Sequence, residues 1–365
     1  MLIFVNTIYM NDYFCVLPFF GYEFQTKGKG THCCLLPKDY NIDSLRNDIL
    51  SKQRSPFCSA CWKLEDAGLI SDRKLKNSAL DFYLDKDIRF IEQQVHEGQY
   101  QPIMIKNSTS NTCNSTCVTC NSGPSSAWAP LEKKIGLVPA ESVSMTREQI
   151  DGNLDYKNLV MLNWVGGEPL YEKLNFYILE KLLEHGNTNC FIAVTTNGSV
   201  ALNANQKSIF AQFKNLNFNL SIDGVGPVFE YMRYPLKWDK LLENLDFFKT
   251  ITDNVSVSYT TSNLNVMYHH DTTKWFDQNN LKYHFNPVIN PGHFRPAALP
   301  RAVKDKLFNI HGGTKDLKFL LGTTHTEQDD VDFKKLLEVI HIQDSVKDIS
   351  IHNYLPEFCQ LASIP

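Results

Sequence analysis

No stretch of this 365-residue chain is apolar for long enough to cross a bilayer as a helix. The N-terminus, Met1-Leu2-Ile3-Phe4-Val5, lacks the basic opening and small-residue cleavage site of a secretory leader. Excess positive charge is missing as well. The chain has 36 Lys and Arg against 40 Asp and Glu, a formal net charge of −4, which argues against a nucleic-acid partner because phosphate binding concentrates cations. Short basic runs such as Lys27-Gly28-Lys29 and Arg73-Lys74-Leu75-Lys76 read as solvated surface. There is no internal repeat, no low-complexity segment and no helix-spaced histidine pair. These absences predict a cytoplasmic protein with no membrane partner, and 43% apolar residues describe an ordinary globular core.

Against that background ten cysteines stand out. A reducing compartment disfavours structural disulfides, so clustered cysteines point to metal or redox chemistry. Three fall in one polar run, Cys113-Asn114-Ser115-Thr116-Cys117-Val118-Thr119-Cys120. This CxxxCxxC spacing offers three thiolates to one site, which leaves a four-iron cluster one ligand short and one iron open to a substrate or cofactor. Zinc would favour paired CxxC ligands closing a tetrahedron.

The chain divides into three zones: 1–97, 98–290 and 291–365. In the first, Ile42–Lys52 after Asn41 and Ser78–Glu97 read as helices. The middle zone alternates strand candidates at Pro102–Lys106, Leu159–Trp164, Phe191–Thr196, Phe218–Ile222, Val255–Thr260 and Tyr283–Val288 with helix candidates at Leu170–His185, Asn203–Phe213, Trp238–Thr250 and His270–Asn279. Strand–helix alternation predicts an α/β fold with a parallel sheet, here a partial (β/α)6 TIM-type barrel, whose active site belongs at the C-terminal ends of the strands. The last zone has helix-like stretches near Ala302–Phe308 and Asp332–Ile342 and no chemical motif, an α-rich extension.

Every suggestive motif of the middle zone follows a predicted strand. The cysteine triad follows the first and Gly166-Gly167-Glu168-Pro169 the second, 46 residues beyond Cys120. Thr196-Asn197-Gly198 follows the third, and Ser221-Ile222-Asp223-Gly224 the fourth. Glycines allow close approach of backbone to a ligand, although Gly-Gly-Glu-Pro also suits a plain strand-to-helix turn with Glu168 at a helix N-terminus. Ser221 and Asp223 alternate, so their side chains share one face, and a hydroxyl beside a carboxylate suits ribose hydroxyls. Asp223-Gly224 and Asn197 equally suit turns. Arg233 can pair with a carboxylate through its guanidinium fork, or form an ordinary surface ion pair.

Taken together, the triad, Gly-Gly-Glu-Pro and Ser-Ile-Asp-Gly resemble the radical S-adenosylmethionine (SAM) superfamily across nearly the whole middle zone. The resemblance implies a cluster on Cys113, Cys117 and Cys120 whose open iron binds SAM. One electron then cleaves SAM to methionine and a 5′-deoxyadenosyl radical that abstracts hydrogen from substrate. It implies that Gly166, Gly167 and Glu168 receive the SAM ammonium, that Ser221 and Asp223 hold the ribose, that Asn197 lies near the adenosine, and that Arg233 meets the carboxylate. A flavodoxin- or ferredoxin-type reductant is implied as partner.

Further cysteines lie upstream. Cys15 is followed by twelve residues, Gly28, four residues and Cys33, then Cys34, and Cys58-Ser59-Ala60-Cys61 completes the set. This resembles the SPASM and twitch auxiliary-cluster domains of radical SAM enzymes, here placed N-terminal to the barrel rather than after it. Cys15, Cys33, Cys58 and Cys61, with Cys34 as alternative to Cys33, would fully ligate a second iron–sulfur cluster, of 4Fe–4S type. Four cysteines including a CxxC would also close a zinc site. Enzymes so built often oxidise or cross-link peptide side chains, so a peptide or protein substrate is expected. The alternatives are a small molecule (sugar, alcohol or nucleotide) and a non-catalytic iron–sulfur electron carrier. Cys190 and Cys359, in apolar surroundings, read as core.

Overall fold

The computed structural model describes residues 13–24, 30–66, 68, 70–83, 94–95, 97–322 and 324–364. Gly28 and the neighbouring Lys27 and Lys29 lie outside these residues, as does most of the 84–96 stretch of the helix expected over Ser78–Glu97.

Seven strands form one parallel sheet in strict chain order: β1 (Gly21–Phe24), β2 (Met104–Asn107), β3 (Met161–Trp164), β4 (Phe191–Thr196), β5 (Asn215–Ser221), β6 (Val255–Thr261) and β7 (Lys282–Pro287). Among the described strands β1 and β7 stand at the two edges, paired with β2 and β6 and not with each other, so the barrel is open. All six expected strands are present, and β1 from the N-terminal zone adds a seventh at the edge.

The helices follow in chain order. Those before the second strand are α1 (Leu17–Phe20), α2 (Ile42–Leu50), α3 (Ser59–Asp66) and α4 (Asp72–Tyr83). Those of the barrel are α5 (Ala129–Lys134), α6 (Arg147–Asp151), α7 (Lys173–Glu184), α8 (Ala204–Phe210), α9 (Pro227–Met232), α10 (Trp238–Lys249) and α11 (His269–Gln278). The extension adds α12 (Arg301–His311), α13 (Lys315–Leu321), α14 (Glu327–Lys347) and α15 (Pro356–Ala362). Their starts carry the expected chemistry: the Asn41 side chain accepts from the Ser44 N–H at 2.8 Å, and Asn203 and Gln206 form a capping box at α8.

One face of the sheet packs on helices. Leu162, Trp164, Ile192, Val194, Phe218, Leu220 and Val257 meet residues of α7, α8 and α10, including Ile178, Phe210 and Phe248. Burying each such side chain stabilises the fold by about 1.5–3 kcal/mol. The opposite face is different. Thr195, Asn217, Asn219, Ser256, Ser258 and Thr260 are only half-buried, and they bond to one another: Asn217 donates to Ser256 Oγ at 3.2 Å, Ser256 to Asn219 Oδ1 at 3.2 Å and Asn286 to Ser258 Oγ at 3.1 Å. Parallel strands are usually apolar on both faces. Here alternation leaves this face polar on β5 and β6, whereas at the start of β2, β3 and β4 Met104, Met161 and Phe191 on the same side are buried with Phe19, Leu45 and Ile49.

A second core joins the extension to the barrel. Val118 of the cysteine loop and Val228, Tyr231 and Met232 of α9 are buried with Leu307, Leu321, Phe333, Leu336, Ile340 and Phe358. Cys359 lies in this core and Cys190 in the main one, both as apolar filling.

Candidate functional site

The loop after β2 is fixed from several directions before its cysteines are considered. Asn111 donates to the carbonyls of Ser122 (3.2 Å) and Glu141 (3.1 Å) and accepts from the Val143 N–H (3.1 Å). Buried Glu132 accepts from the Ser122 N–H at 2.8 Å. The N–H groups of Thr116 and Val118 donate to the carbonyls of Tyr234 (2.7 Å) and Met232 (2.9 Å), joining the loop to the end of α9. Trp128 donates its indole N–H to the Cys117 carbonyl at 3.1 Å.

On this frame Cys113, Cys117 and Cys120 are free, partly exposed thiols. One hydroxyl, Ser115 Oγ, touches two sulfurs, Cys113 at 3.3 Å and Cys117 at 3.4 Å. Among the described residues no three His, Cys, Asp or Glu side chains are grouped to hold a single metal ion. Three soft thiols on one braced loop are the donor type that an iron–sulfur cluster takes, and Ser115 holds two of them on the same side. Burial pushes the Cys120 thiol up to about 12 and raises that of Cys117, where Arg233 pulls the other way. Loading metal on these thiols therefore releases protons.

The Gly-Gly-Glu-Pro turn presses against the same loop. A Cβ on Gly167 would lie 2.1 Å from the Thr112 carbonyl oxygen, and Gly166 has φ of +114°, so neither position accepts a side chain without strain. The close approach of Gly167 is to Thr112, the residue before Cys113, and that of Gly166 is to Ser108 and Ser110. Glu168, 1% exposed, accepts three bonds: Thr196 Oγ1 and the Asn197 N–H, each at 2.7 Å, and the Leu170 N–H at 3.1 Å. It ties the end of β3 to the end of β4 and also caps the short helical turn that follows. Burial raises its pKa against these donors. Asn197 donates to Asn114 Oδ1 at 2.8 Å, and Asn114 donates to Ser199 at 2.8 Å, so the β4 loop grips the cysteine loop.

Ser221 ends β5, and Asp223 follows it, both buried. The Asp223 carboxylate is already engaged, accepting from the Thr260 N–H at 2.8 Å and pairing with Arg233 Nε at 2.8 Å. Arg233 is no surface residue: its Nη1 reaches to 4.0 Å from Cys117 Sγ. Burial opposes its charge, but Asp223 and the cysteine sulfurs outweigh that and raise its pKa. Of the seven residues expected to hold SAM, Gly166, Gly167, Glu168, Asn197, Ser221 and Asp223 lie at or just past the C-terminal ends of β3, β4 and β5, and Arg233, at the end of α9, reaches back to Asp223 and Cys117.

The upstream cysteines form a second group. Cys15, Cys33, Cys58 and Cys61 line one cavity together with Leu17, Pro18, Phe57 and Arg73. Cys33 also lines a neighbouring cavity floored by Met104, Lys106 and Asn163 of the sheet, and there Cys34 joins it. Cys33 thus faces the four-cysteine cavity, and Cys34 faces the sheet. Burial raises the thiol pKa of Cys15 and Cys61 and takes that of Cys58 to about 11. Cys34 is drawn down to about 6 by a hydrogen bond from Cys33 and by Lys106. Buried Arg73 donates to the Phe14 carbonyl at 2.7 Å and pairs with Glu65.

No protein-family model matches the chain, and no curated protein does. Among solved structures it is similar to anSMEcpe with bound AdoMet (S-adenosylmethionine), at 16% identity and a TM-score of 0.42 over 68% of this chain and 62% of that one. It is also similar to Streptococcus suis SuiB bound to S-adenosylmethionine, at 13% identity and a TM-score of 0.41 over 72% and 60%. SuiB bound to its precursor peptide SuiA gives 11% identity and a TM-score of 0.37 over 80% of each chain. The chain thus spans about three fifths of the anSMEcpe structure's length. What this chain can do is decided by its own residues.

Some of those residues carry no motif. Lys347, at the end of α14, is buried with its ammonium 4.4 Å from the centre of the Trp128 ring, and Gln343 donates to the Val118 carbonyl at 3.0 Å. Burial pushes Lys347 down to about 8, while Cys117, Asp344 and Cys120 favour its charge. A signal was present in the spacing. Phe333, Leu336 and Ile340 form a buried helical stripe that Gln343 and Lys347 continue, and polar residues on an apolar stripe need partners.

Proposed function

We propose that this chain is a radical SAM enzyme that binds a four-iron cluster through Cys113, Cys117 and Cys120. The observation that carries the reading is the convergence of separate strand ends on one three-cysteine loop: Gly167 packs on Thr112, Asn197 bonds Asn114, and Arg233 reaches Cys117. When bound, the cluster supplies the electron that cleaves SAM and starts hydrogen abstraction from substrate. The chain's part is positional. Thr116 and Val118 anchor the loop to Tyr234 and Met232, and Glu168 fixes the spacing of the two loops around it. Backbone at Gly166–Glu168 and the face of Ser221 and Asp223 would receive the methionine and ribose ends of SAM, with Asn197 beside the adenosine. Arg233 brings positive charge beside Cys117.

Cys15, Cys33, Cys58 and Cys61 would hold a second, fully ligated cluster, in the manner of a twitch or SPASM domain, able to take an electron from a substrate radical or to relay reducing equivalents. The half-buried face of Asn217, Asn219, Ser256 and Ser258, whose side chains bond to one another, carries both donors and acceptors suited to an amide-bearing substrate. A peptide, the kind of molecule held in the SuiB–SuiA complex, is the proposed substrate class, with a flavodoxin- or ferredoxin-type reductant. The test is anaerobic reconstitution followed by SAM and dithionite: 5′-deoxyadenosine and methionine are expected. An intact cluster that releases neither would remove the enzyme reading and leave an electron carrier.

A further inference from the structure

Lys347 lies 227 residues beyond Cys120, yet it reaches the cysteine loop. Its backbone is held by Tyr234, whose hydroxyl donates to the Lys347 carbonyl at 3.3 Å. Its ammonium donates to Gln343 Oε1 at 3.1 Å, and Gln343 in turn holds the Val118 carbonyl, between Cys117 and Cys120. The stem and head lie on Trp128, whose indole N–H holds the Cys117 carbonyl. Every group that fixes Lys347 therefore also touches the loop or the segment paired with it.

The charge of this residue lacks an evident local reason. A buried ammonium is strongly disfavoured unless it is paired, and among the described residues no carboxylate stands within ion-pair distance of Lys347. Asp344, one turn earlier, accepts from the Tyr231 hydroxyl at 2.9 Å and from the Ile351 N–H. The other buried cation at the loop, Arg233, does have its carboxylate, Asp223. The groups that hold Lys347 lead instead to Cys117, through Trp128, and to Val118 between Cys117 and Cys120, through Gln343, and those sulfurs become negative when they ligate a cluster. Stacking on Trp128 favours the ammonium, and a place in the last turn of α14 adds a favourable helix-dipole contribution. Neither calls for a residue that touches both Gln343 and Trp128 behind the cysteines.

We infer that Lys347 is the counter-charge of the cluster held by Cys113, Cys117 and Cys120, and that it raises the reduction potential of that cluster. The inference rests on the radical SAM reading. On reduction the cluster takes one electron from a one-electron donor, no atom is transferred, and its net charge becomes more negative by one. A fixed cation nearby stabilises the reduced form more than the oxidised form, because cluster charge and its surroundings set the potential. Lys347 acts through space and through the loop it braces, so it is a positioning residue and touches no reacting atom. The arrangement also gives the C-terminal extension a part in the chemistry.

The experiment is a redox titration of the anaerobically reconstituted full chain, comparing the unaltered protein with Lys347→Met, Lys347→Gln and Lys347→Arg. The readout is the electron paramagnetic resonance signal that changes on adding SAM, which separates this cluster from any upstream one. Met keeps the stem on Trp128 and removes the charge, Gln removes the charge but keeps polarity, and Arg restores the charge. The neutral variants are expected to show about tenfold less reduced cluster at a fixed poise, equivalent to a fall of about 59 mV for a one-electron couple, with Arg recovering most of it. A role confined to helix packing would lower thermal stability in the neutral variants and leave the midpoint where it was; that result overturns the inference. If Met does not assemble the cluster, the Gln midpoint decides in the same way. If both neutral variants lose iron while Arg keeps it, the lysine is a structural brace and the inference also fails. Unaltered protein that takes up no iron on Cys113, Cys117 and Cys120 removes the underlying reading instead.

Discussion

At the scale of single residues the site depends on groups with no freedom to move. Glu168 serves three donors from a position 1% exposed. Glu168→Gln turns one acceptor oxygen into a donor facing N–H or O–H groups, and it is expected to lower unfolding free energy by about 1–3 kcal/mol. Denaturant titration of the metal-free chain would check this, and an unchanged midpoint would show that the strut is dispensable. Cys117→Ala should end 5′-deoxyadenosine release altogether while leaving iron at the upstream cysteines, as measured by iron content and product assay. Such residues were legible in unequal degree. The cysteine triad announces itself, since three thiols in a polar run have little structural use. The engagement of Asp223 with Arg233 was not legible, because an ion pair between positions on separate loops leaves no spacing to read.

Among the elements, the six middle-zone strands and the longer helices between them followed from period and caps, while β1, short helices such as α9 (Pro227–Met232) and the loops depended on contacts that sequence does not display. The pressure of Gly167 on the Thr112 carbonyl is one such contact. Gly167→Ala must push one loop off the other, and overpacking of this kind costs about 1–3 kcal/mol. The expected result is a lower melting temperature and reduced iron uptake on the cysteine triad, read by calorimetry and iron analysis. The polar inner face was written plainly in β5 and β6, where Asn-Leu-Asn-Phe-Asn-Leu-Ser and Val-Ser-Val-Ser-Tyr-Thr-Thr alternate. In a parallel sheet that alternation signals a face not covered by helices.

The start of α14 carries a pH-dependent contribution. Buried Asp329 accepts from the Thr326 N–H at 3.0 Å and pairs with Arg295 (3.1 Å) and Lys304 (3.6 Å). Burial works against its charge, yet these partners outweigh it and hold its pKa below the usual carboxylate value. Its stabilisation is therefore present above about pH 4 and is lost as pH falls through the lower folded value. Asp329→Asn should remove about 3–5 kcal/mol at neutral pH by leaving buried Lys304 without its carboxylate, while Arg295 keeps Asp332, and should flatten the acid side of the stability profile. A variant with the full acid dependence would place that titration elsewhere.

Over the whole molecule, two cysteine groups lie on one chain, and metal content distinguishes what they hold. Two four-iron clusters require about eight irons per chain and no zinc. About four irons and one zinc would leave the triad reading intact and make the upstream site a zinc knot. The N-terminal zone, barrel and extension are joined by shared structure, β1 pairing with β2 and α14 packing with Val118 in one core. That connection has a consequence in time. Residues 113–120 leave the ribosome early, but the carbonyls that fix them belong to Met232 and Tyr234, and the side chains that brace them to Gln343 and Lys347. The loop can take its final form only once residues through Gln343 have been made, and before that its cysteines have only the nearby bonds of Asn111, Glu132 and Trp128 to shape them.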